Sequence, residues 1–245
     1  MPAPIKIDIW SDIACPWCYI GKRNLEAGLA QFRAGNPNVG VEIEYHSFEL
    51  SPDTPVEFEG SEVDFLVKHK GISEAQVSVM LERVTSIAKS VGLDYDFDAL
   101  QHTNTLKAHQ LLHYAKAHGA QLEAKERLLR AYFIDGRHIG RDDDLADLAA
   151  EIGLDRDDAL RSLREGEYGD AVRADIEQAV AYGIRGVPFF VFDEHYAMSG
   201  AQPPEAFAQA LAQAAGDRHD LEVVGDAGAV VCTDETCDVP AVSKG

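Results

Sequence analysis

Ile5-Lys6-Ile7-Asp8-Ile9-Trp10-Ser11-Asp12-Ile13-Ala14-Cys15-Pro16-Trp17-Cys18 is the stretch on which the fold turns. Ile5, Ile7 and Ile9 alternate with Lys6, Asp8 and Trp10, the period of a half-buried strand, and Ser11 and Asp12 read as the turn that ends it. Beyond the cysteines, Leu25, Leu29 and Phe32 fall at i, i+4 and i+7, one face of a helix. The spacing therefore predicts a cysteine pair on the first turn of a helix that follows a strand. A thiol placed there faces unpaired backbone N–H groups and the positive end of the helix dipole, both of which favour thiolate. Cys15 is then the attacking sulfur. Cys18, one turn further on, is close enough to resolve the mixed disulfide that Cys15 forms. Zinc is the competing reading, because Cys232 and Cys237 supply a second pair. The four residues between them, and the position of the two pairs at opposite ends of the chain, argue against it, so no metal is expected.

Outward from this stretch, Val41, Ile43 and Tyr45 alternate with Glu42 and Glu44 as a second strand, and turn-rich Ser51 to Gly60 closes a β-α-β unit. From about 61 to 182 the pattern is helical. Val77, Leu81, Val84, Ala88 and Val91 form one stripe, Leu106, Leu111, Leu112 and Ala115 contribute to another, and Gly92, Gly119, Gly140 and Gly153 punctuate the segments. Gly183-Ile184-Arg185-Gly186-Val187-Pro188 then leads into a strand, Phe189 to Phe192. A proline is poorly placed there unless it opens the strand or sits in a special turn, and a cis Val187–Pro188 bond accounts for it. A further strand, Tyr196 to Ser199, and a helix from about 204 to 215 follow.

Five segments together resemble a known family: Ser11 to Gly21 around the Cys-Pro-Trp-Cys motif, Phe48-Glu49-Leu50-Ser51-Pro52, Asn104-Thr105 with Ala108-His109, Gly186 to Phe192, and Ser199-Gly200-Ala201-Gln202. They look like the FrnE-type branch of the DsbA family over roughly residues 5 to 215. The resemblance implies an α/β thioredoxin-like fold with an inserted all-α domain. Its parts are a discontinuous thioredoxin-like domain (1–60 and 183–215), a helical insertion (61–182) and a C-terminal extension (216–245). It implies thiol–disulfide oxidoreductase or isomerase activity, with Cys15 and Cys18 catalytic. In such folds the cis-proline lies against the cysteine motif and leaves the preceding backbone free to pair with an extended substrate, which makes Val187 and Pro188 substrate-binding residues, with Trp17 between the cysteines. Asn104 and Thr105 face the cysteine cleft in this family, although they would equally cap the helix that follows. Members with a serine for the first cysteine are glutathione-dependent isomerases or kappa-class transferases. This chain keeps both cysteines.

Its 245 residues can bury a full core. The net charge of −20, from 42 acidic and 22 basic residues, disfavours nucleic acid and anionic membranes, whose binding rests on neutralised phosphates. No apolar run approaches the ~18 residues of a membrane span, and no basic-then-apolar leader precedes the first strand, so a cytoplasmic location is expected. The expected partners are protein thiols and disulfides, with glutathione as a co-substrate or a thioredoxin-type reductant as electron source, and no other cofactor. Two alternatives stand beside the oxidoreductase: a glutathione-dependent small-molecule isomerase or kappa-class-like transferase, and a non-enzymatic zinc-bound or partner-binding protein.

Thioredoxin and DsbA place a buried carboxylate six positions before the first cysteine; here that position is Ile9. Asp12 is the nearest candidate proton acceptor, with Asp8 and water as substitutes. Its charge near Cys15 would oppose the helix dipole. With Pro-Trp between the cysteines, a reduction potential between those of thioredoxin and DsbA is expected, roughly −270 to −120 mV. His109 and His113 lie at i, i+4 spacing without an acidic third ligand at a matching interval, and read as surface or lid-lining side chains. Cys232 and Cys237 are expected to form an auxiliary redox pair, the alternative being a disulfide that clips the tail.

Overall fold

The computed structural model describes residues 3–216, together with the backbone of Cys232–Thr233 and Thr236–Cys237. β1 (Ile5–Ser11), α1 (Pro16–Gly35) and β2 (Val41–Ser47) form the opening unit, and β3 (Phe189–Phe192), β4 (Tyr196–Ser199) and α9 (Pro204–Gly216) the closing one. The sheet order is β2-β1-β3-β4. β1 runs parallel to β2 with Ile5 opposite Val41, and antiparallel to β3 with Ile9 opposite Phe190, while β4 pairs antiparallel on the far edge. This is the thioredoxin topology. Between β2 and β3 the chain inserts α2 (Glu62–Lys70), α3 (Glu74–Ser90), α4 (Leu106–Ala117), α5 (Gln121–Phe133), α6 (Asp142–Glu151), α7 (Arg156–Glu165) and α8 (Gly169–Ala181). Ser61 and Ser73 start α2 and α3 with capping boxes, and Gly71 and Gly166 close α2 and α7 in the left-handed conformation that an L side chain resists.

β1 departs from its sequence pattern in two ways. It runs one residue into the expected turn, because Ser11 still pairs with Ser47. It is also not half-buried: every residue but Lys6 is buried. As the central strand it is covered twice. Ile5, Ile7 and Ile9 pack with Leu25, Leu29, Phe207 and Leu211 of α1 and α9, while Trp10 packs on the other face with Ala179, Ile184 and Val191. The insertion builds its own core from α3 to α7, and Ile13, Tyr19 and Ile20 of the opening unit belong to it.

The backbone of β5 (Cys232–Thr233) pairs antiparallel with β6 (Thr236–Cys237), with Cys232 opposite Cys237. Their side chains, and the expected strand-like Leu221 to Val224, lie outside the described residues. No helix among the described residues is long and apolar enough to cross a membrane.

α1 and α9 approach so closely that a Cβ at Gly28 would lie 2.6 Å from both the Phe207 Cβ and the Pro204 carbonyl oxygen. Gly28→Ala therefore has to separate the two helices. We expect a loss of about 1–3 kcal/mol in urea unfolding, with the denaturant slope unchanged.

Candidate active site

Cys15 occupies the N-cap of α1 and Cys18 its first turn, both as free, buried thiols. Pro16 takes the first helical position, where no N–H is needed. The Cys15 thiol donates to the Val187 carbonyl at 3.6 Å. The Val187–Pro188 peptide is cis. Buried Pro188 packs on α1 where Gly21 leaves room, since a Cβ there would meet the Pro188 Cγ at 3.0 Å.

A cavity of about 580 Å³ opens beside Cys15. Cys15, Pro16, Trp17, Gly186 and Val187 line one side, and Phe65, Leu66, Val84, Phe97, His102 and Thr105 of the insertion line the other. Exposed Lys70 and Arg83 also contribute to its lining. Trp17 is 41% exposed, a large apolar surface beside the sulfur. Cys18 is not among the lining residues.

The two thiols ionise as a unit. The hydrogen bond shared with Cys18, together with burial, holds the Cys15 thiol well above its ordinary range. Burial also works against a charge on Cys18, but the Cys15 thiol, the Lys125 ammonium, the Ser11 hydroxyl and the Asp12 amide outweigh it and lower that thiol. Of the two thiols, Cys18 is therefore the one whose surroundings favour a charge.

The other residues singled out from sequence are placed as follows. Thr105 lines the cavity and is buried. Asn104 does not line it: its amide donates to the Pro52 carbonyl at 3.0 Å and its side-chain oxygen accepts from Leu106 N at 2.8 Å, which braces the start of α4. Asp12 is fully buried. It accepts from Ile13 N at 2.7 Å, Leu50 N at 2.8 Å and His109 Nε2 at 3.2 Å. Burial would raise its pKa, but His109, Leu50 and Thr105 keep it below the ordinary value. Asp8 is likewise held as carboxylate by His46 and Lys6 against burial.

His109 and His113 are not the surface or lid-lining residues expected. Both are buried, because α4 packs among α5, α6, α7 and α8, and each meets an acid from another segment: His109 meets Asp12, and His113 Nε2 meets Asp175 at 2.9 Å. His46 donates from Nδ1 to Asp175 at 2.9 Å and from Nε2 to Asp8 at 2.7 Å, with the ring stacked on Trp10. Asp8, Glu44 and His46 could in geometry hold a metal ion, but Lys6 occupies Asp8 and Glu44, and Lys116 also pairs with Glu44.

Sequence reasoning missed Ser11, His46, Asp175, the buried pair Glu62–His102 and, above all, Lys125. Lys125 left one trace in the sequence. It stands with Gln121, Leu128 and Tyr132 on the apolar stripe of α5, where a lysine is out of place.

Fold and cysteine pair together define a thioredoxin-fold protein built around a dithiol at a helix N-terminus. The profile of the DSBA-like thioredoxin domain matches residues 6–212, and the chain belongs to that family. A crystal structure described as a probable DsbA oxidoreductase from Streptomyces coelicolor is 38% identical and superposes with a TM-score of 0.83, covering 97% of this chain and 100% of that one. YwbO of Bacillus subtilis, an uncharacterized protein, is 26% identical over 210 residues, 84% of this chain and 96% of its own. DsbM of Pseudomonas aeruginosa, a cytosolic disulfide reductase, shares the fold at 19% identity and a TM-score of 0.58, covering 85% of this chain and 97% of its own, and has also been solved with glutathione.

The doubly paired His46 yields a pH dependence. Burial opposes its charge, but Asp175 and Asp8 raise its pKa from 6.5 to about 9. A raised cation stabilises fully below its unfolded pKa and loses that contribution as pH climbs through the folded one. The stability difference between the protein and His46→Gln should shrink by about 3 kcal/mol between pH ~6 and ~10 in thermal or urea unfolding. A difference constant over that range would show that the imidazolium contributes nothing.

Proposed function

We propose that this chain is a thiol–disulfide oxidoreductase and isomerase that acts on protein disulfides through Cys15 and Cys18. The observation that carries this reading is the division of labour at the start of α1. Cys15 lines the cavity beside the Val187 carbonyl and exposed Trp17, while Cys18 is buried behind it. The Cys15 thiolate attacks a substrate disulfide, the first substrate sulfur leaves, and Cys18 attacks Cys15 Sγ to release the second. Val187 and Pro188 offer the main chain, and Trp17 the apolar surface, on which an extended segment settles, with Thr105 across the cavity and Asn104 fixing the start of α4. Asp12 holds the loop that carries Cys15. In the cytoplasm, glutathione or a thioredoxin-type partner resets the pair; Lys70 and Arg83 at the cavity suit the carboxylates of glutathione, and DsbM, which has the same fold, was solved with it.

Cys15→Ser is expected to reduce both insulin reduction and the refolding of scrambled ribonuclease to the uncatalysed rate. Cys18→Ala keeps Cys15 reactive and accumulates mixed disulfides, identifiable by mass spectrometry of the trapped adducts. Adducts on Cys15 that contain only small thiols would favour the small-molecule alternative.

The same proposal makes Cys232 and Cys237 an auxiliary redox pair. They face each other in an antiparallel ladder, where Cα atoms stand about 4.5–5.5 Å apart, within disulfide range. Replacing both by Ser should leave a single turnover of the reduced protein unchanged and slow multiple turnover. Equal multiple-turnover rates would reduce the tail to a clip.

A further inference from the structure

Lys125 is completely buried, and its Nζ finds no hydrogen-bond partner among the described residues. The Tyr45 ring lies 5.3 Å from it. An ammonium in such a place has lost its hydration shell without an equivalent replacement, which disfavours the charge unless another group compensates it. Its neighbours define where it is held. Glu126, the next residue, accepts from Tyr19 Oη at 2.6 Å, Lys22 Nζ at 2.6 Å and Arg23, all on the α1 turns around and after Cys18. One turn earlier, Gln121 bonds both the N–H and the C=O of Tyr45 on β2. α5 is thus clamped to α1 and β2, with Lys125 buried on the clamped stretch against the Tyr45 ring.

Building on the exchange reading above, we propose that Lys125 is a positioning residue for the release half of the reaction: the buried cation that stabilises the Cys18 thiolate, so that Cys18 can attack the Cys15–substrate disulfide. The charges that act on it are those of Cys18 and Lys22 of α1 and of Cys15 and Asp12 of the preceding loop, with the Tyr45 ring of β2 against it and Glu126 next to it on α5. Among the charges that raise its pKa, Cys18 acts most strongly, ahead of Asp12 and Cys15. Burial nonetheless pulls the lysine down to about 8, close enough to neutrality for the proton to leave when the thiolate charge disappears.

The stoichiometry closes on these groups. Counted from the form that reacts, the site holds one thiol, one thiolate and the Lys125 ammonium. In capture, a Cys15–substrate S–S bond forms and the substrate S–S bond breaks. In release, a Cys15–Cys18 bond forms and the mixed S–S bond breaks. The pair loses two electrons and the substrate gains them. The two product thiols take up two protons, equal to the thiol proton of the pair and the one that Lys125 gives up once it faces a neutral disulfide.

Ellman's reagent reads both halves in one trace, because capture and release each free one thionitrobenzoate. In Lys125→Met, at pH about 7, the second release is expected to slow relative to the first by about tenfold, the equivalent of one pKa unit, and the midpoint of its pH profile to move up. Lys125→Arg keeps the charge and brings the midpoint back, which a purely structural role would not do. A folded Lys125→Met with unchanged ratio and midpoint overturns the proposal. Absence of the first release in the unsubstituted protein instead overturns the exchange reading on which it rests. A measurement without substitution covers the case of a variant that does not fold: with labelled lysine, the Lys125 NMR resonance should titrate at lower pH in the disulfide form than in the dithiol form, and identical midpoints overturn the proposal.

Discussion

A carboxylate in a protein interior needs donors, and Asp12 collects them from separate segments. Its own loop supplies Ile13 N, the loop after β2 supplies Leu50 N, and α4 supplies His109 Nε2. One buried charge therefore ties the loop that carries Cys15 both to the segment entering the insertion and to the insertion itself. Removing any one donor leaves the buried charge less well satisfied, so the three segments favour one arrangement together. The position of Cys15 relative to the cavity wall follows from that constraint.

The same logic recurs wherever the insertion meets the sheet. Asp175 of α8 accepts from Ser47 N, His46 and His113, and Glu126 of α5 gathers Tyr19, Lys22 and Arg23 of α1. These contacts are polar and directional where a purely apolar interface would tolerate sliding. Such buried networks add little net stability, but they specify one arrangement. The cavity needs that specification because its two sides come from different units, Cys15, Trp17 and Val187 from one and Phe65, His102 and Thr105 from the other. The apolar contribution runs the same way, since Tyr19 and Ile20, immediately after the cysteines, are buried in the insertion's core.

Two buried thiols need a positive influence if they are to ionise. The α1 N-terminus supplies part of it, and the Lys125 ammonium lowers Cys18 further, against burial. The chain has Ile9 six positions before Cys15, where thioredoxin carries a carboxylate. The cation acting on Cys18 therefore belongs to a helix more than a hundred residues away in sequence.

The elements were legible from local pattern: alternation in β1 and β2, the helical period after Cys18, the glycine-proline entry to β3, and the switch from strand to helix and back. These signals survive because each depends on residues a few positions apart, whose side chains share a face by the geometry of strand or helix alone. The cysteine pair was legible for the same reason. What pattern could not supply was the partner of any buried polar group. That β1 is covered on both faces, that His109 and His113 turn inward to Asp12 and Asp175, that Asn104 braces a loop while Thr105 lines the cavity, and that Lys125 is buried against Tyr45 are outcomes of how the helices pack on the sheet and on one another. The sequence by itself determined the order of elements and the place of the two thiols at the start of α1. The tertiary structure decided which charges surround them, because the cost of burying a charge depends on neighbours that only packing brings together.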